Sequence, residues 1–224
     1  MPMVAAVRVM GREGHGLRVV PASGVAVAEY DGRMPEPVTA LPFTGNPEAD
    51  ALLASSPLAL LVGFALDQQV TVQKAFSGPL ELVRRTGSLD AAAIAAMDPA
   101  DLETVFRTPP ALHRFPGMMA GRVRELCAAI ATEYGNDASR VWREARDARE
   151  LRARLKALPG IGEAKSATII GVLGRRFGVR PAGWEAQAPT EPTLADVDSA
   201  EALAAYQSGK RARKAEARDA GGRA

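Results

Sequence analysis

The segment of residues 158–162, which reads Leu-Pro-Gly-Ile-Gly, limits the possible folds of this chain more than any other feature. Residues 149–157 before it and residues 163–177 after it both have helical patterns. Pro159 ends the first helix, and the two glycines permit backbone angles that other residues resist. Ile161 lies between the glycines, where it can fill the core between the helices. The sequence therefore predicts two helices joined by a tight turn.

The start of the second predicted helix is a potential anion site. The first amides of a helix have no acceptor within the helix, and the helix dipole places positive charge there. Gly160 and Gly162 lack side chains that would hold a ligand away. Lys165 and Ser166 follow in the first turn, where they can contact a phosphate directly, whereas Glu163 opposes an anion and has to point aside. The alternative is an ordinary turn between helices, in which Pro and Gly are common.

Positive charge is concentrated in two stretches near the C-terminus, although the whole chain has a net charge of only +2. Residues 140–185 contain eleven Lys and Arg against five Asp and Glu, and residues 201–224 contain six against three. A face that binds a polyanion needs such a concentration, because cations that neutralise phosphates release counterions and so drive affinity. A solvated helix face followed by a solubilising tail explains the same pattern, so charge alone leaves both interpretations open.

Composition restricts the class of protein further. Apolar residues make up 47% of the chain and aromatic residues only 5%, which favours a globular protein with a helical core over a β-sandwich. The single cysteine, Cys127, excludes a disulfide framework and a four-cysteine iron–sulfur cluster, and its apolar neighbours predict a core position. His15 and His113 are too far apart for a metal-binding motif. Without a signal peptide or a long apolar run, we expect a cytoplasmic protein that does not enter a membrane.

The chain divides into three parts. Residues 1–40 contain short β-prone runs separated by Gly-rich turns, which indicate a small β-meander, a disordered extension or translated sequence upstream of the true start. Residues 41–185 form the predicted helical core, and residues 186–224 form a loop, a short helix near residues 200–206 and a basic tail. Within the core, cap-plus-proline signals and apolar periodicity predict helices at residues 58–66, 99–106 and 121–134.

Two further stretches accompany the hairpin. Residues 60–75 read LLVGFALDQQVTVQKA, and residues 113–130 place Gly117 before a basic amphipathic segment that contains Arg122. In this order the three stretches resemble the helix-hairpin-helix (HhH-GPD) base-excision DNA glycosylase superfamily, which includes endonuclease III and 3-methyladenine DNA glycosylase II. The Gln68-Gln69 pair resembles the 3-methyladenine branch, and the segments 44–53 and 178–184 resemble an uncharacterised bacterial subgroup. The resemblance implies an all-α, two-lobed fold with a central cleft.

The resemblance also implies an activity, which is hydrolysis of the N-glycosidic bond of an extruded nucleotide. The lysine that forms a Schiff base in bifunctional members maps onto Ala164, and Lys165 lies about 100° further round the helix, so no lyase activity is implied. The register of the catalytic aspartate falls on residues 180–185, which contain no Asp. Glu185 is the nearest carboxylate and is our candidate catalytic residue; an exposed loop carboxylate is the alternative.

Aromatic and polar side chains complete the predicted site. Trp184 is the candidate wall for a flipped base, whereas three other aromatic residues are expected in the core: Trp142, Phe64 and Tyr134. Gln68 and Gln69 either probe the displaced base pair or cap the end of a helix. The predicted DNA contacts are, in full, Gly160, Ile161, Gly162, Lys165, Ser166, Gln68, Gln69 and Arg122.

Three functional hypotheses remain at this point. The first is a monofunctional DNA N-glycosylase that acts on a damaged or mismatched base in double-stranded DNA. The second is a lesion-recognition protein that has kept the fold and lost the chemistry, and the third is a helical protein-interaction module. We expect a monomer without a cofactor, although a monovalent cation at the hairpin remains open.

Overall fold

The computed structural model describes residues 38–221, and every regular element in that range is helical. The predicted all-α class is therefore confirmed. The helices, in chain order, are α1 (Pro47–Ser55), α2 (Pro57–Leu66), α3 (Val72–Thr86), α4 (Ala91–Ala96), α5 (Pro99–Arg107), α6 (Pro116–Glu133), α7 (Arg140–Arg143), α8 (Ala148–Ala157), α9 (Glu163–Arg176), α10 (Trp184–Gln187) and α11 (Ala200–Gly221), with a 3-10 turn at Leu194–Asp196.

Helix α2 lies at the centre of the core, as its uniformly apolar sequence predicts. The hydroxyl of Ser56 accepts a hydrogen bond from the amide of Ala59 (3.2 Å), and Pro57 occupies the first turn, where a missing amide hydrogen costs nothing. Every residue from Leu58 to Leu66 is buried. Because α2 is enclosed by α1, α3 and α6, its C-terminal end can support a site without moving.

Helix α6 begins at Pro116, earlier than the expected start at residue 121. Its buried stripe contains Cys127, as predicted, together with Val123, Leu126 and Ile130. Burial raises the pKa of the Cys127 thiol to about 12, so this cysteine is an inert core residue. Arg122 lies on the same helix and is only half-buried, which leaves its guanidinium available to neighbouring elements.

The predicted helical hairpin is present. Asp147 caps α8 by accepting a hydrogen bond from the amide of Glu150 (2.8 Å), and α8 ends at Ala157. After the turn, α9 begins at Glu163, and its buried residues include Ile169, Ile170 and Leu173. Leu158 and Ile161 are both 3% exposed, so their side chains fill the space between the helices as expected.

The C-terminal part departs from the sequence prediction. The predicted loop begins at residue 186, yet the short helix α10 (Trp184–Gln187) extends into it. The predicted short helix near residues 200–206 is the start of α11, which has 22 residues and includes the basic segment. Alanine, lysine and arginine are strong helix formers, and this propensity explains the longer helix.

The domain predictions are tested only in part. The proposed β-meander or disordered extension at residues 1–40 lies almost wholly outside the described range, which begins at residue 38. Residues 38–221 belong to one compact unit, and the two-lobed arrangement stays a prediction. Among residues 38–221, no helix taken alone has the length and hydropathy that a membrane span requires; α1 and α2 reach them only together, and the two are bent by 114° at their junction.

Candidate nucleic-acid interface

The turn between α8 and α9, residues 158–162, is hereafter the hairpin turn. The amide of Ile161 donates to the carbonyl of Leu158 (3.1 Å), which closes the turn. The first helical hydrogen bond of α9 runs from the amide of Ser166 to the carbonyl of Gly162 (2.9 Å). These two bonds fix the backbone at the start of α9.

Gly162 is the N-cap residue of α9 and faces open space. Its backbone angles, φ −93° and ψ −169°, are extended, and any residue adopts them without strain. A Cβ atom built at this position would meet nothing within 4 Å. The folded chain therefore gives no reason for glycine at position 162, and a side chain there would cover the start of α9.

Gly160, by contrast, faces inward. Its φ of +85° lies in the left-handed region that favours glycine, and a Cβ atom there would lie 2.8 Å from Cδ of Arg122 and 3.3 Å from Cβ of Ala65. Both glycines were expected to keep the turn open to a ligand. Only Gly162 faces open space, whereas Gly160 faces Arg122 and Ala65. Gly160 allows the hairpin turn to pack closely against α2 and α6.

The amides at the start of α9 are available to a ligand. No side chain caps this helix, and the amides of Gly162, Glu163 and Ala164 donate to no acceptor among residues 38–221. All three residues are exposed. The unbonded amides and the positive end of a 14-residue helix dipole thus face solvent together.

Glu163 points aside, as an anion site at this helix requires. Its carboxylate forms ion pairs with Lys156 and Arg152 of α8, both at 2.5 Å. The hydrogen bond from Lys156 and the nearby positive charges hold the pKa of Glu163 below its usual value. The carboxylate is therefore charged and directed toward α8.

Lys165 holds the hairpin turn against the end of α2. Its ammonium donates to the carbonyl oxygens of Gly160 (3.1 Å) and Ala65 (3.4 Å), so it joins the turn to the end of α2. Burial lowers the pKa of Lys165 to about 8; the carboxylate of Asp67 opposes this shift, whereas Arg122 adds to it. The predicted direct phosphate contact stays a prediction, and the two carbonyl hydrogen bonds of the ammonium do not favour it.

The predicted phosphate contact of Ser166 is not supported either. Ser166 is fully buried, and its hydroxyl donates to the carbonyl of Glu163 (2.8 Å). A serine at this helical position faces the core, because Gly162, Glu163 and Ala164 occupy the exposed side of the first turn. Ile161, which was also among the predicted contacts, can reach a ligand only through its backbone.

A second segment is connected to the hairpin turn through Arg122: residues 67–71, between α2 and α3, hereafter the polar loop. Gln68 is held in place, because its Nε2 donates to the carbonyl of Ala65 (3.3 Å) and its Oε1 accepts from Nη1 of Arg122 (2.8 Å). This favours the helix-capping alternative for Gln68. Arg122 also packs beside Gly160 and so links the two segments.

Gln69 differs from Gln68 in its exposure and in its backbone conformation. It is exposed, and its φ of +54° places it in the left-handed region, which is uncommon for a residue other than glycine. Such a conformation costs on the order of 1–3 kcal/mol and persists where the surrounding structure imposes it, often at functional loops. Of the two predicted glutamines, Gln69 is the one in a position to probe a ligand.

The buried side chain of His113 holds the polar loop in place. It is 1% exposed; its Nδ1 accepts from the amide of Phe115 (3.1 Å), so the neutral ring carries its proton on Nε2 and donates it to the carbonyl of Gln68 (3.0 Å). Burial is the main reason that its pKa lies below the usual value. Sequence reasoning missed this role, because the contact joins residues 45 positions apart.

The basic C-terminal helix α11 contacts the first turn of α3, the helix that follows the polar loop. Leu203 of α11 is buried, and Nε2 of Gln207 donates to Oε1 of Gln73 in the first turn of α3 (2.7 Å). Lys210 lies 5.8 Å from the centroid of the Tyr206 ring, and the following cations Arg211 and Arg213 are exposed. Helix α11 is therefore attached to α3, and exposed cations follow the contact residue Gln207.

The structure does not bring the catalytic candidates to this surface. Glu185 is exposed in α10 and makes no hydrogen bond or ion pair with the hairpin turn or the polar loop, both of which are fully described. The Trp184 ring packs on Gly174, near the far end of α9, and the Arg180 guanidinium lies 5.4 Å from the ring centroid. Trp142, Phe64 and Tyr134 are buried, as expected for core residues.

The hairpin turn fits a bound metal cation poorly. The carbonyl of Leu158 accepts from Ile161, and the carbonyl of Gly160 accepts from the ammonium of Lys165. A second cation at Gly160 would be repelled by this ammonium. Among residues 38–221 no group of three or more His, Cys, Asp or Glu side chains is arranged to hold a metal ion.

Comparisons of this chain with protein-family models, with curated proteins and with solved structures found no match.

Proposed function

We propose that this chain binds double-stranded DNA through the hairpin turn and the polar loop, and that it acts in base-excision repair as a monofunctional DNA N-glycosylase. The observation that carries the DNA-binding part is Gly162. The fold places an unstrained glycine with no neighbour at the exposed start of α9, and the amides beside it remain unbonded. A phosphate group fits this arrangement, because backbone amides and the helix dipole both favour an anion.

Nucleic acid is favoured over a small anion because the cations extend beyond the turn. Helix α8 contributes Arg149, Arg152 and Lys156 on one side, and α11 contributes exposed cations beyond the polar loop. An extended polyanion can contact both regions, whereas a single phosphate ion cannot. The exposed and strained Gln69 is the side chain best placed to enter a groove or to contact the partner of a displaced base.

The proposed reaction follows from the resemblance. An extruded nucleotide loses its base when the bond between the base and C1′ of the sugar breaks, water supplies the new C1′–O bond, and a carboxylate stabilises the positive charge that develops on the sugar. Glu185 is the candidate carboxylate. Ala164 cannot form a Schiff base, so we expect hydrolysis without strand cleavage.

The second candidate, a lesion-recognition protein without chemistry, is favoured by one observation. Glu185 is exposed, and the Trp184 ring is already covered by Gly174 and Arg180, so neither side chain lines a site for an extruded nucleotide in this conformation. Catalysis by Glu185 would require α10 to move when DNA binds.

A glycosylase screen separates these candidates. Duplex oligonucleotides that carry alkylated, deaminated or mismatched bases are incubated with the protein, and abasic product is detected by alkaline strand cleavage. The proposal predicts product from at least one substrate, no adduct after borohydride treatment, and loss of activity in Glu185→Gln but not in the matched exposed variant Glu191→Gln. DNA binding without product on a broad panel supports the second candidate. No DNA binding at low salt overturns both and leaves a protein-interaction module.

A further inference from the structure

A groove with positively charged walls lies beside the hairpin turn, on the exposed face of α8. Its volume is about 470 Å³, and it is lined by Arg149, Arg152, Ala153, Lys156, Ala157 and Gln187. Three of these six residues are cations, and none carries a carboxylate. Because the side chains of Ala153 and Ala157 are short, a ligand can approach the cationic side chains from solvent.

The groove is continuous with the start of α9. Lys156 and Arg152 both form ion pairs with Glu163, the first residue of that helix. Arg149 lies two helical turns before Lys156, which corresponds to about 10.5 Å along the axis of α8. Successive base pairs of a duplex are about 3.4 Å apart along its axis, so the separation of these two cations along α8 matches the length of roughly three base-pair steps.

The cations of the groove are only partly compensated. Arg152 shares its guanidinium between Glu163 and Oε1 of Gln187 (3.0 Å), while its buried Nε has no hydrogen-bond partner. Arg149 is exposed and has no ion-pair partner among residues 38–221. Glu163 is the one described carboxylate paired with any of these cations, and it pairs only with Arg152 and Lys156, so an excess of positive charge remains. Cations spaced at three and four residues on one helix face repel one another, and a bound anion relieves this repulsion.

We propose that this groove is a second phosphate site, which binds the DNA backbone flanking the phosphate held at the hairpin turn. The inference rests on the proposed DNA binding and adds the location of a second contact, on the exposed face of α8, and its ligand group, the phosphodiester. Arg149 and Lys156 contact the phosphate oxygens. Arg152 and Gln187 of α10, joined by a hydrogen bond, form one wall of the groove. Contacts of this kind set the register of the protein on the duplex and do not read its sequence.

Two variants test the groove. Arg149→Gln removes the cation that has no ion pair, and Ala153→Glu places a carboxylate among the three cations at an exposed helical position that tolerates glutamate. Arg84→Gln is the matched control: Arg84 is a helical arginine paired with Glu48 and Glu81, and it lies about 20 Å along α3 from the end of the polar loop.

The measurement is the dissociation constant for one fluorescent duplex, determined by anisotropy between 50 and 200 mM salt. Arg149→Gln should lower affinity about eightfold at 0.1 M salt and reduce the slope of log K against log salt by about 0.9, the value for one phosphate contact. Ala153→Glu should weaken binding at least as much, whereas Arg84→Gln should match the wild type.

The outcomes distinguish the groove from the function on which it rests. If the wild type binds the duplex and Gly162→Asp weakens that binding, but Arg149→Gln and Ala153→Glu leave affinity and slope unchanged, the groove proposal is overturned and the hairpin proposal stands. An equal loss in Arg84→Gln also overturns the groove, because the effect is then one of net charge. If the wild type does not bind at low salt, both proposals fall.

Discussion

Replacing Gly162 by serine should make the protein slightly more stable and a weaker DNA binder. The backbone at position 162 is extended, and a new Cβ atom meets nothing within 4 Å, so the substitution introduces no strain. Serine is a better N-cap than glycine by a few tenths of a kcal/mol, and the loss of glycine also reduces the entropy of the unfolded chain. We expect a gain of about 0.5–1 kcal/mol in the free energy of unfolding.

The same serine should cost affinity, because its hydroxyl oxygen accepts the amide hydrogen bonds that a phosphate needs. One hydrogen bond to a charged group contributes about 1.5–3 kcal/mol, so the dissociation constant should rise by about 10- to 100-fold. Gly162→Asp adds a negative charge at the same place and should weaken binding further.

Gly160→Ala is the contrasting variant. Its φ of +85° makes alanine unfavourable by about 1–2 kcal/mol, and the new Cβ atom would displace Arg122, whose Cδ would lie only 2.8 Å away. Thermal unfolding followed by circular dichroism should therefore show Gly162→Ser at or above the wild-type Tm and Gly160→Ala several degrees below it. Wild-type DNA affinity in Gly162→Ser and Gly162→Asp would refute the role assigned to the start of α9.

Three further predictions follow from the charges around the interface. Glu163→Gln should raise DNA affinity by up to about eightfold at 0.1 M salt, because it removes an anion from the start of α9 and frees Lys156 and Arg152; lower affinity in the anisotropy assay would contradict this. Wild-type affinity should fall as pH rises from 7 to 9, since Lys165 loses its proton with a pKa of about 8. Lys165→Arg should abolish that fall. If the variant has the same pH profile as the wild type, a group other than Lys165 causes the change. Truncation after Ser208 removes the basic part of α11 and should lower affinity without changing the preference for damaged over intact duplex; a changed preference would show that the tail reads the lesion.

The sequence predicted the helices whose signals are local. Ser56-Pro57 and Asp98-Pro99 each combine an N-cap with a proline in the first turn, and α2 and α5 begin at those prolines. The hairpin was equally clear, because its proline, glycines and buried isoleucine all act within five consecutive residues. Local rules suffice where the determining contacts are close in sequence.

Helix boundaries were predicted less well where a weak helix former lies inside an element. The predicted helix began at residue 121, after Gly117, but α6 begins at Pro116 and includes Gly117, because the core packing of its buried stripe outweighs the cost of a glycine. Pro79 likewise lies inside α3. Propensity is a weak guide when tertiary contacts oppose it.

The arrangement of the candidate site could not be predicted from the sequence. Gln68 and Gln69 are neighbours of the same type, yet Arg122, 54 residues from Gln68, holds one inward while the other is exposed. The different roles of Gly160 and Gly162 likewise depend on Ala65 and Arg122, which only the folded chain brings to the turn. The lowered pKa of Lys165 has the same origin, because burial between α2 and the hairpin turn causes it.

The most direct test of the central claim follows the backbone amides themselves. In an ¹⁵N-labelled sample titrated with a short duplex, the amide signals of Gly162, Glu163 and Ala164 should shift and become protected from hydrogen exchange, while the signal of Ile161, whose amide is already bonded within the turn, should change less. If the duplex binds and these three amides keep their free-state shifts and exchange rates, the phosphate is held elsewhere and the account of the hairpin turn is wrong.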